Sequence, residues 1–350
     1  MATLKDINIA MGSRPFIIAE LSGNHGQDLN TALALVEAAA VAGVDAIKLQ
    51  TYRADTMTLD LNGDDFNVSE DDSLWQGENL YSLYEKASTP YEWHQVLFEK
   101  AQSLGLIAFS SPFDCEAVDF LDGLGVPCFK IASFEINDIP LIKHAASKGK
   151  PLIISAGMAS IEEIQLAVDS ARDAGCDEIV LLKCTSTYPS SPENSHLNTI
   201  TDMKDRFGCP VGLSDHSRGI GVAVASVALG ACVIEKHFVL DRSSGVVDAE
   251  FSMEPDEFKL LVQETHRAWE AMGEVTYGGS DAEQKSKKYR RSIYCKAEIK
   301  KGEILSVDNL QIIRPSFGLE PKEWDTVIGK MALTNISKGT PLDWSMVESD

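Results

Sequence analysis

The chain has 350 residues, with 31 Lys and Arg against 53 Asp and Glu, a formal charge of −22 at pH 7. Such a balance repels phosphate backbones and anionic lipid, which argues against a nucleic-acid or peripheral-membrane role. With 44% hydrophobic and 24% charged residues, the composition is globular, and the length suggests two domains or one large barrel with an appendage. Seven scattered cysteines without a CxxC pair read as reduced thiols, not as a disulfide framework or a zinc site. The opening MATLKDINIAMGSR has no apolar signal region. A soluble cytoplasmic protein is the expectation.

In chain order, short β-branched runs alternate with amphipathic stretches, the pattern of a parallel α/β sheet. Strands are expected at 16–21, 46–51, 107–113, 128–133, 152–157, 178–184, 211–216 and 232–238. Helices are expected near 29–42, 91–104, 115–124, 138–148, 160–174, 199–207, 219–230 and 255–272. Eight such units match a (β/α)8 TIM barrel in number and length. A doubly wound sheet would want a glycine-rich dinucleotide turn after the first strand. That turn instead reads Glu20, Leu21, Ser22, Gly23, Asn24, His25.

Residues 52–89 interrupt the repeat with an acidic cluster, Asp64, Asp65, Glu70, Asp71 and Asp72. A connection that long is usually functional, and it falls on the face where barrel active sites form, so it reads as a lid or as a solvated acidic loop. Thr89 and Pro90 look like the cap and first residue of the next helix. Near residue 280 the composition shifts. From 285 onward there are twelve Lys and Arg against nine Asp and Glu, which divides the chain into a barrel domain (1–280), a linker (281–291) and a second domain (292–350). The basic run Lys285, Lys287, Lys288, Arg290, Arg291 is expected to dock on an acidic barrel, its own or a neighbour's, rather than on nucleic acid. In the tail, Ile299-Lys-Lys-Gly302 recurs as Ile336-Ser-Lys-Gly339, a turn signal that suggests a small β-rich unit.

Chemistry in a barrel belongs to the C-terminal strand ends. His216 and His237 end neighbouring strands, where two imidazoles share one ion if both face the mouth. With carboxylates from Glu20 and Glu135 they would make an open N/O site suited to Mn²⁺, Mg²⁺ or Co²⁺, one that polarises a carbonyl or activates water; a pair of capping or core histidines is the bland alternative. Lys48 and Lys130 lie inside apolar strand sequence. Each is either salt-bridged to Glu20 or Glu135 or facing an anionic ligand, with Ser111, Ser133, Ser155, Ser186 and Ser214 as hydroxyl donors. A Schiff-base lysine is a further alternative, which a metal would make redundant.

Taken in order, Ile18-Ala-Glu20-Leu-Ser-Gly-Asn24-His25, Ile47-Lys48-Leu-Gln-Thr51, Phe109-Ser-Ser-Pro-Phe-Asp114 and Lys130-Ile-Ala-Ser133-Phe-Glu135 resemble the sialic acid synthase family. So do Leu182-Lys-Cys-Thr-Ser-Thr-Tyr188-Pro, Leu213-Ser-Asp-His-Ser217 and Ile234-Glu-Lys-His-Phe238. The tail resembles the antifreeze-like (SAF) domain that follows the barrel in that family. The wording around Ser111 and Ser133 is most similar to the pseudaminic acid synthase branch; Ser186 and Ala156 stand where the neuraminic branch carries Asn and Thr.

The resemblance implies condensation of phosphoenolpyruvate with an N-acetylated aldose to a nine-carbon 2-keto acid, phosphate leaving by C–O cleavage. For this branch the implied acceptor is 2,4-diacetamido-2,4,6-trideoxy-L-altrose and the product pseudaminic acid, with N-acetylneuraminate or legionaminate as the alternatives. It makes His216 and His237 the metal ligands. Lys48, Ser111, Lys130, Ser133, Ser155, Ser186 and Ser214 become phosphoenolpyruvate contacts, and Glu20, Glu135 and Glu235 the acidic groups around sugar and metal. Arg314 becomes a sugar contact offered by the second domain of the other subunit in a domain-swapped homodimer. A non-catalytic carbohydrate-binding protein is the rival of another class.

Overall fold

Each expected strand is a run of Ile, Val, Leu, Phe and Ala buried almost throughout, as strands covered on both faces must be. They are β1 (Phe16–Glu20), β2 (Ala46–Thr51), β3 (Ile107–Pro112), β4 (Phe129–Ile131), β5 (Leu152–Ser155), β6 (Ile179–Cys184), β7 (Val211–Asp215) and β8 (Val233–His237). All pair in parallel in chain order and β8 returns to β1, so the barrel closes. The computed structural model describes residue 7, residues 9–69 and residues 74–349; Glu70, Asp71 and Asp72 of the acidic cluster lie outside them.

The helices between the strands start where the side chains cap them. Asp28 accepts from Asn30 and Thr31 N–H ahead of Leu29–Ala42, and Asp114 accepts from Ala117 N–H ahead of Cys115–Gly123. Ser160 and Glu163 form a reciprocal box at Ile161–Asp173. Thr89 does not cap. A 3₁₀ turn, Tyr91–Trp93, begins after Pro90, and the Thr89 hydroxyl is taken by His25 Nε2 at 3.2 Å.

One departure from the expected strands shapes the mouth. β4 stops at Ile131, and Ser133–Glu135 turns as a 3₁₀ segment closed by Glu135 N–H donating to the Ala132 carbonyl at 3.1 Å. In β7, Gly212 is required by space: a Cβ there would lie 2.4 Å from the Val233 carbonyl oxygen and 2.7 Å from Leu182 Cδ2.

The chain divides into two compact units, 1–273 and 274–350. The second has its own core, including Ile293, Leu305, Leu310, Val327 and Leu342, around an antiparallel pair, β9 (Ser292–Cys295) and β10 (Leu310–Ile313). The repeated segments of the tail pair with each other: Ile299 and Ile336 exchange N–H···O bonds of 2.9 and 2.8 Å. Gly302 and Gly339 follow in the left-handed region, at φ 84° and 86°. Among the described residues no helix is long and apolar enough to cross a membrane.

Gly212→Ala should cost about 1–3 kcal/mol through overpacking against β6 and β8, read as a lower urea midpoint with an unchanged slope.

Candidate active site

Register brings the strand-end groups together. Glu20 pairs across with both Lys48 and His237, and Ser214 with Glu235. With side chains alternating along each strand, Lys48, Lys130, Ser155, Ser214, Glu235 and His237 open into one cavity of about 780 Å³. Ser133, Glu135, Ser186 and His216 also line it. Lys236, one residue out of phase, points away and is buried in an ion pair with Asp215 at 2.7 Å.

Beneath the cavity runs a chain of alternating charge. Lys48 Nζ is bound to Glu20 Oε2, lies 3.8 Å from Glu235 Oε1, and donates to Ser111 Oγ at 3.2 Å. Lys130 Nζ lies 3.7 Å from the same Glu235 oxygen and donates to Ser155 Oγ at 2.7 Å. Ser214 donates to Glu235 Oε1 at 3.2 Å. Lys48 is therefore salt-bridged, to Glu20 and not to Glu135, and it also lines the cavity. Glu20 and Ser111 do not line the cavity; they hold Lys48 from behind.

Burial opposes the Lys48 ammonium, but Glu20 and Glu235 outweigh it and hold its pKa above the ordinary value. Lys130 is pushed down by burial, only partly offset by Glu235. Burial likewise pushes Glu235 up, yet Lys130 and Lys48 bring it below the usual carboxylate value. Glu135 differs. Burial raises it to about 7, Lys130 offsetting only part, and its Oε2 has no hydrogen-bond partner among the described residues.

The imidazoles of His216 and His237 face each other with centroids 5.3 Å apart. His216 Nδ1–H donates to the Thr185 carbonyl at 2.9 Å, a bond that orients the ring as in histidines that ligate through the other nitrogen, and Cys184 is its second hydrogen-bond partner. Burial and the neighbouring cations hold His237 well below its ordinary pKa, and its Nδ1 has no hydrogen-bond partner among the described residues. His216 is the less neutral of the two, since Cys184 beside it raises its pKa against the effect of burial. A pair of imidazoles in this setting suits a divalent ion with open positions. Among the described residues no group of three or more His, Cys, Asp or Glu could hold one, so other ligands would come from water or substrate.

Gly157, at φ 48°, closes the serine side: a Cβ there would lie 2.5 Å from Ser133 Cβ and 2.9 Å from Ser186 Oγ. Those two hydroxyls are 2.8 Å apart. Arg314 belongs to the second unit, exposed directly after β10.

The sequence reading missed Asp248, Tyr188 and Phe251, all of which line the cavity. Ser22, in the left-handed region at φ 47°, connects the first to the barrel: its N–H donates to Glu20 Oε1 at 3.0 Å and its hydroxyl to Asp248 Oδ2. Tyr188 lies tilted against His216 with ring centroids 4.4 Å apart, and Phe251 lies edge-on at 4.8 Å to His237. They sit on connections between strands and helices, Phe251 in the short 3₁₀ turn Ala249–Phe251, where no periodicity points inward; the Tyr188-Pro189 segment after β6 was the one available signal.

With this geometry in view, the comparisons are direct. Residues 35–277 match the NeuB family and residues 290–348 the SAF domain. The chain belongs to the NeuB family. It is 44% identical to the pseudaminic acid synthase of Campylobacter jejuni over 96% of this chain and 97% of that one. It is 39% identical to the N,N'-diacetyllegionaminic acid synthase of Legionella pneumophila over 95% of both. Among solved structures it is similar to the N-acetylneuraminic acid synthetase of Leptospira borgpetersenii in complex with citrate. That likeness has a TM-score of 0.70 and 34% identity, over 80% of this chain and 93% of the other.

In this NeuB-family chain the Glu135 carboxyl titrates from 4.5 when unfolded to about 7 when folded. The native state therefore holds an extra proton between those values and loses stability as pH rises through them. Glu135→Gln should be more stable than wild type at pH 8, with the difference shrinking toward pH 4.5, measured by urea unfolding at both.

Proposed function

We propose that the chain is a pseudaminic acid synthase, joining phosphoenolpyruvate, 2,4-diacetamido-2,4,6-trideoxy-L-altrose and water into pseudaminic acid and phosphate. One observation carries the reading: two buried ammonium groups, a ring of serine hydroxyls, a carboxyl poised near neutrality and a pair of imidazoles open into the same cavity. The 44% identity over nearly the full chain to a protein of that name supports the acceptor.

In this mechanism Lys48 and Lys130, with Ser133, Ser155, Ser186 and Ser214, hold the phosphate and carboxylate of phosphoenolpyruvate through charge-assisted bonds. Ser111 and Glu20 fix Lys48. A divalent ion (Mn²⁺, Mg²⁺ or Co²⁺) on His216 and His237 would supply Lewis-acid polarisation of the sugar's aldehyde. The enol π pair of phosphoenolpyruvate forms the bond from its C3 to the aldehyde carbon, whose oxygen takes up, by way of Glu135, the proton that the capturing water gives up. C2, left electron-poor, is captured by water. Glu135 receives the water's proton, since its pKa near 7 and its unpartnered oxygen suit a general base better than Glu20, already spent on Lys48. Glu235 balances the lysines. The phosphate hemiketal then collapses by C–O cleavage, expelling phosphate and leaving the keto acid.

The reading further takes the protein as a cytoplasmic homodimer, in which Arg314 of the second domain binds the acceptor's acetamido group across the subunits. Arg314→Ala should raise KM for the sugar roughly 10–100-fold, the loss of one charged hydrogen bond, and leave KM for phosphoenolpyruvate unchanged; the reverse pattern would displace Arg314 from the sugar.

A phosphate-release assay with the trideoxy diacetamido altrose beside N-acetylmannosamine, with and without chelator, tests the whole. Turnover of the altrose alone, abolished by chelator, is expected. Preference for N-acetylmannosamine would move the chain to the neuraminate branch, and sugar binding without phosphate release would make it a binding protein. Oxygen-18 in the bridging position should depart with phosphate; its retention in the keto acid would overturn C–O cleavage.

A further inference from the structure

The cavity has two unlike walls. One is the barrel floor of lysines, serines, carboxylates and imidazoles; the other comes from the long connection after β2. Met57, Val68, Trp75, Leu80, Leu83 and Tyr84 of that connection line the cavity. The same stretch carries Asp55, Asp60, Asp64, Asp65, Glu78 and Glu85, none of which lines it. In the described part of the connection the acidic groups thus stay off the cavity while those six side chains line it, although Leu59, Leu61 and Leu74 are exposed. Of the two readings offered by its sequence, a solvated acidic loop does not account for that sorting.

The wall is tied to the barrel at several points. Trp75 Nε1 donates to the Val247 carbonyl at 3.0 Å, and its ring lies 6.0 Å from Tyr188 and 6.3 Å from Phe251. Tyr52 packs edge-on against Tyr84 at 5.9 Å and against Phe113 at 5.1 Å. Gln27 Nε2 donates to the Ser88 carbonyl at 2.6 Å and the Lys86 carbonyl at 3.1 Å. Gly23 lets Ala87 approach, for a Cβ there would be 3.0 Å from Ala87 Cα. Through Tyr188 and Phe251 the apolar surface runs on to the imidazole pair.

These contacts decide which end of an acceptor meets which wall. The reacting carbon must lie by the polar floor, so the remainder of the sugar is pressed on the connection. A hydroxyl set against Val68, Leu80 and Leu83 finds no side-chain donor or acceptor on those three residues, and the Trp75 N–H is committed to Val247; Tyr84 carries the polar group of this wall. A methyl group loses nothing. We propose that this wall, centred on Val68, Leu80 and Leu83, is the specificity surface that selects a 6-deoxy sugar bearing acetamido methyls over its 6-hydroxy counterpart. The inference rests on the acceptor reading given above and names the residues that enforce it.

An apolar pocket rejects an added hydroxyl only modestly, so the expected preference is on the order of 10–100-fold in kcat/KM. The test compares 2,4-diacetamido-2,4,6-trideoxy-L-altrose with 2,4-diacetamido-2,4-dideoxy-L-altrose, in wild type, Val68→Thr and Leu83→Asn. Val68→Thr is nearly isosteric and exchanges one methyl for a hydroxyl, which guards against a folding defect in the other variant. The wild type is expected to prefer the deoxy sugar, and at least one variant to lower that ratio roughly fivefold or more by removing part of the pocket's discrimination, with KM for phosphoenolpyruvate unchanged. Equal use of both altroses by wild type, or an unaltered ratio in both variants, overturns the wall's role and leaves the acceptor reading standing. Turnover of N-acetylmannosamine with neither altrose used overturns the acceptor reading, and the inference with it.

Discussion

The site depends on how two lysines are kept charged inside a closed barrel. An isolated ammonium in such a place would shed its proton, and removing one partner of a buried pair typically costs 3–5 kcal/mol. Here the charges alternate across β1, β2, β8 and β4 as Glu20, Lys48, Glu235 and Lys130, all nearly inaccessible to solvent. The pairing is unequal. Lys48 has Glu20 directly on it and shares Glu235, so the carboxylates hold it protonated. Lys130 has only the shared Glu235 oxygen at 3.7 Å, and burial prevails. An anion arriving beside Lys130 would supply the partner that the protein withholds. The cavity is thus poised for negative charge without carrying a large excess of positive charge.

Closure of the barrel converts that local chemistry into a shared site. Because side chains alternate along each strand, a residue two positions away stays in the cavity and a residue one position away leaves it. Glu235 and His237 face inward, whereas Lys236 is buried outside against Asp215. Small residues then set how closely the strand ends converge. Gly212 admits Leu182 and the Val233 carbonyl, and Gly157 admits Ser133 and Ser186 to within a hydrogen bond of each other. Neither glycine contributes a functional group, yet each sets a spacing on which the hydroxyl ring depends.

The strands were legible because parallel strands covered on both faces read as unbroken apolar runs, and their polar interruptions stood out as candidates. Lys48 and Lys130 are the clearest case: a charge inside Ala-Ile-Lys-Leu or Phe-Lys-Ile-Ala has to be explained. What the sequence left open was partnership. Glu20 and Glu135 were equal choices for Lys48 until the early end of β4 carried Glu135 away on its own turn. Asp248, Tyr188 and Phe251 were illegible, since loops carry no period that separates inward from outward. The tail gave a related lesson. Its two Lys-Gly segments were recognisable as turns, but that Ile299 and Ile336 pair with each other is a matter of long-range register.

Net charge, finally, has to be separated from local field. A chain at −22 repels an anionic substrate at long range. Surface charges, however, are screened over about 8 Å at physiological ionic strength, while buried ones are screened far less. In the described part of the long connection, Asp55, Asp60, Asp64, Asp65 and Glu85 are exposed to that screening, and Lys48 and Lys130 are not. The acidic exterior therefore weighs on long-range approach, and the final ångströms belong to the buried pair and the hydroxyls around it. An apolar wall opposite that pair strengthens the same distinction, because excluding water lowers the local dielectric and lets each remaining charge act at greater strength.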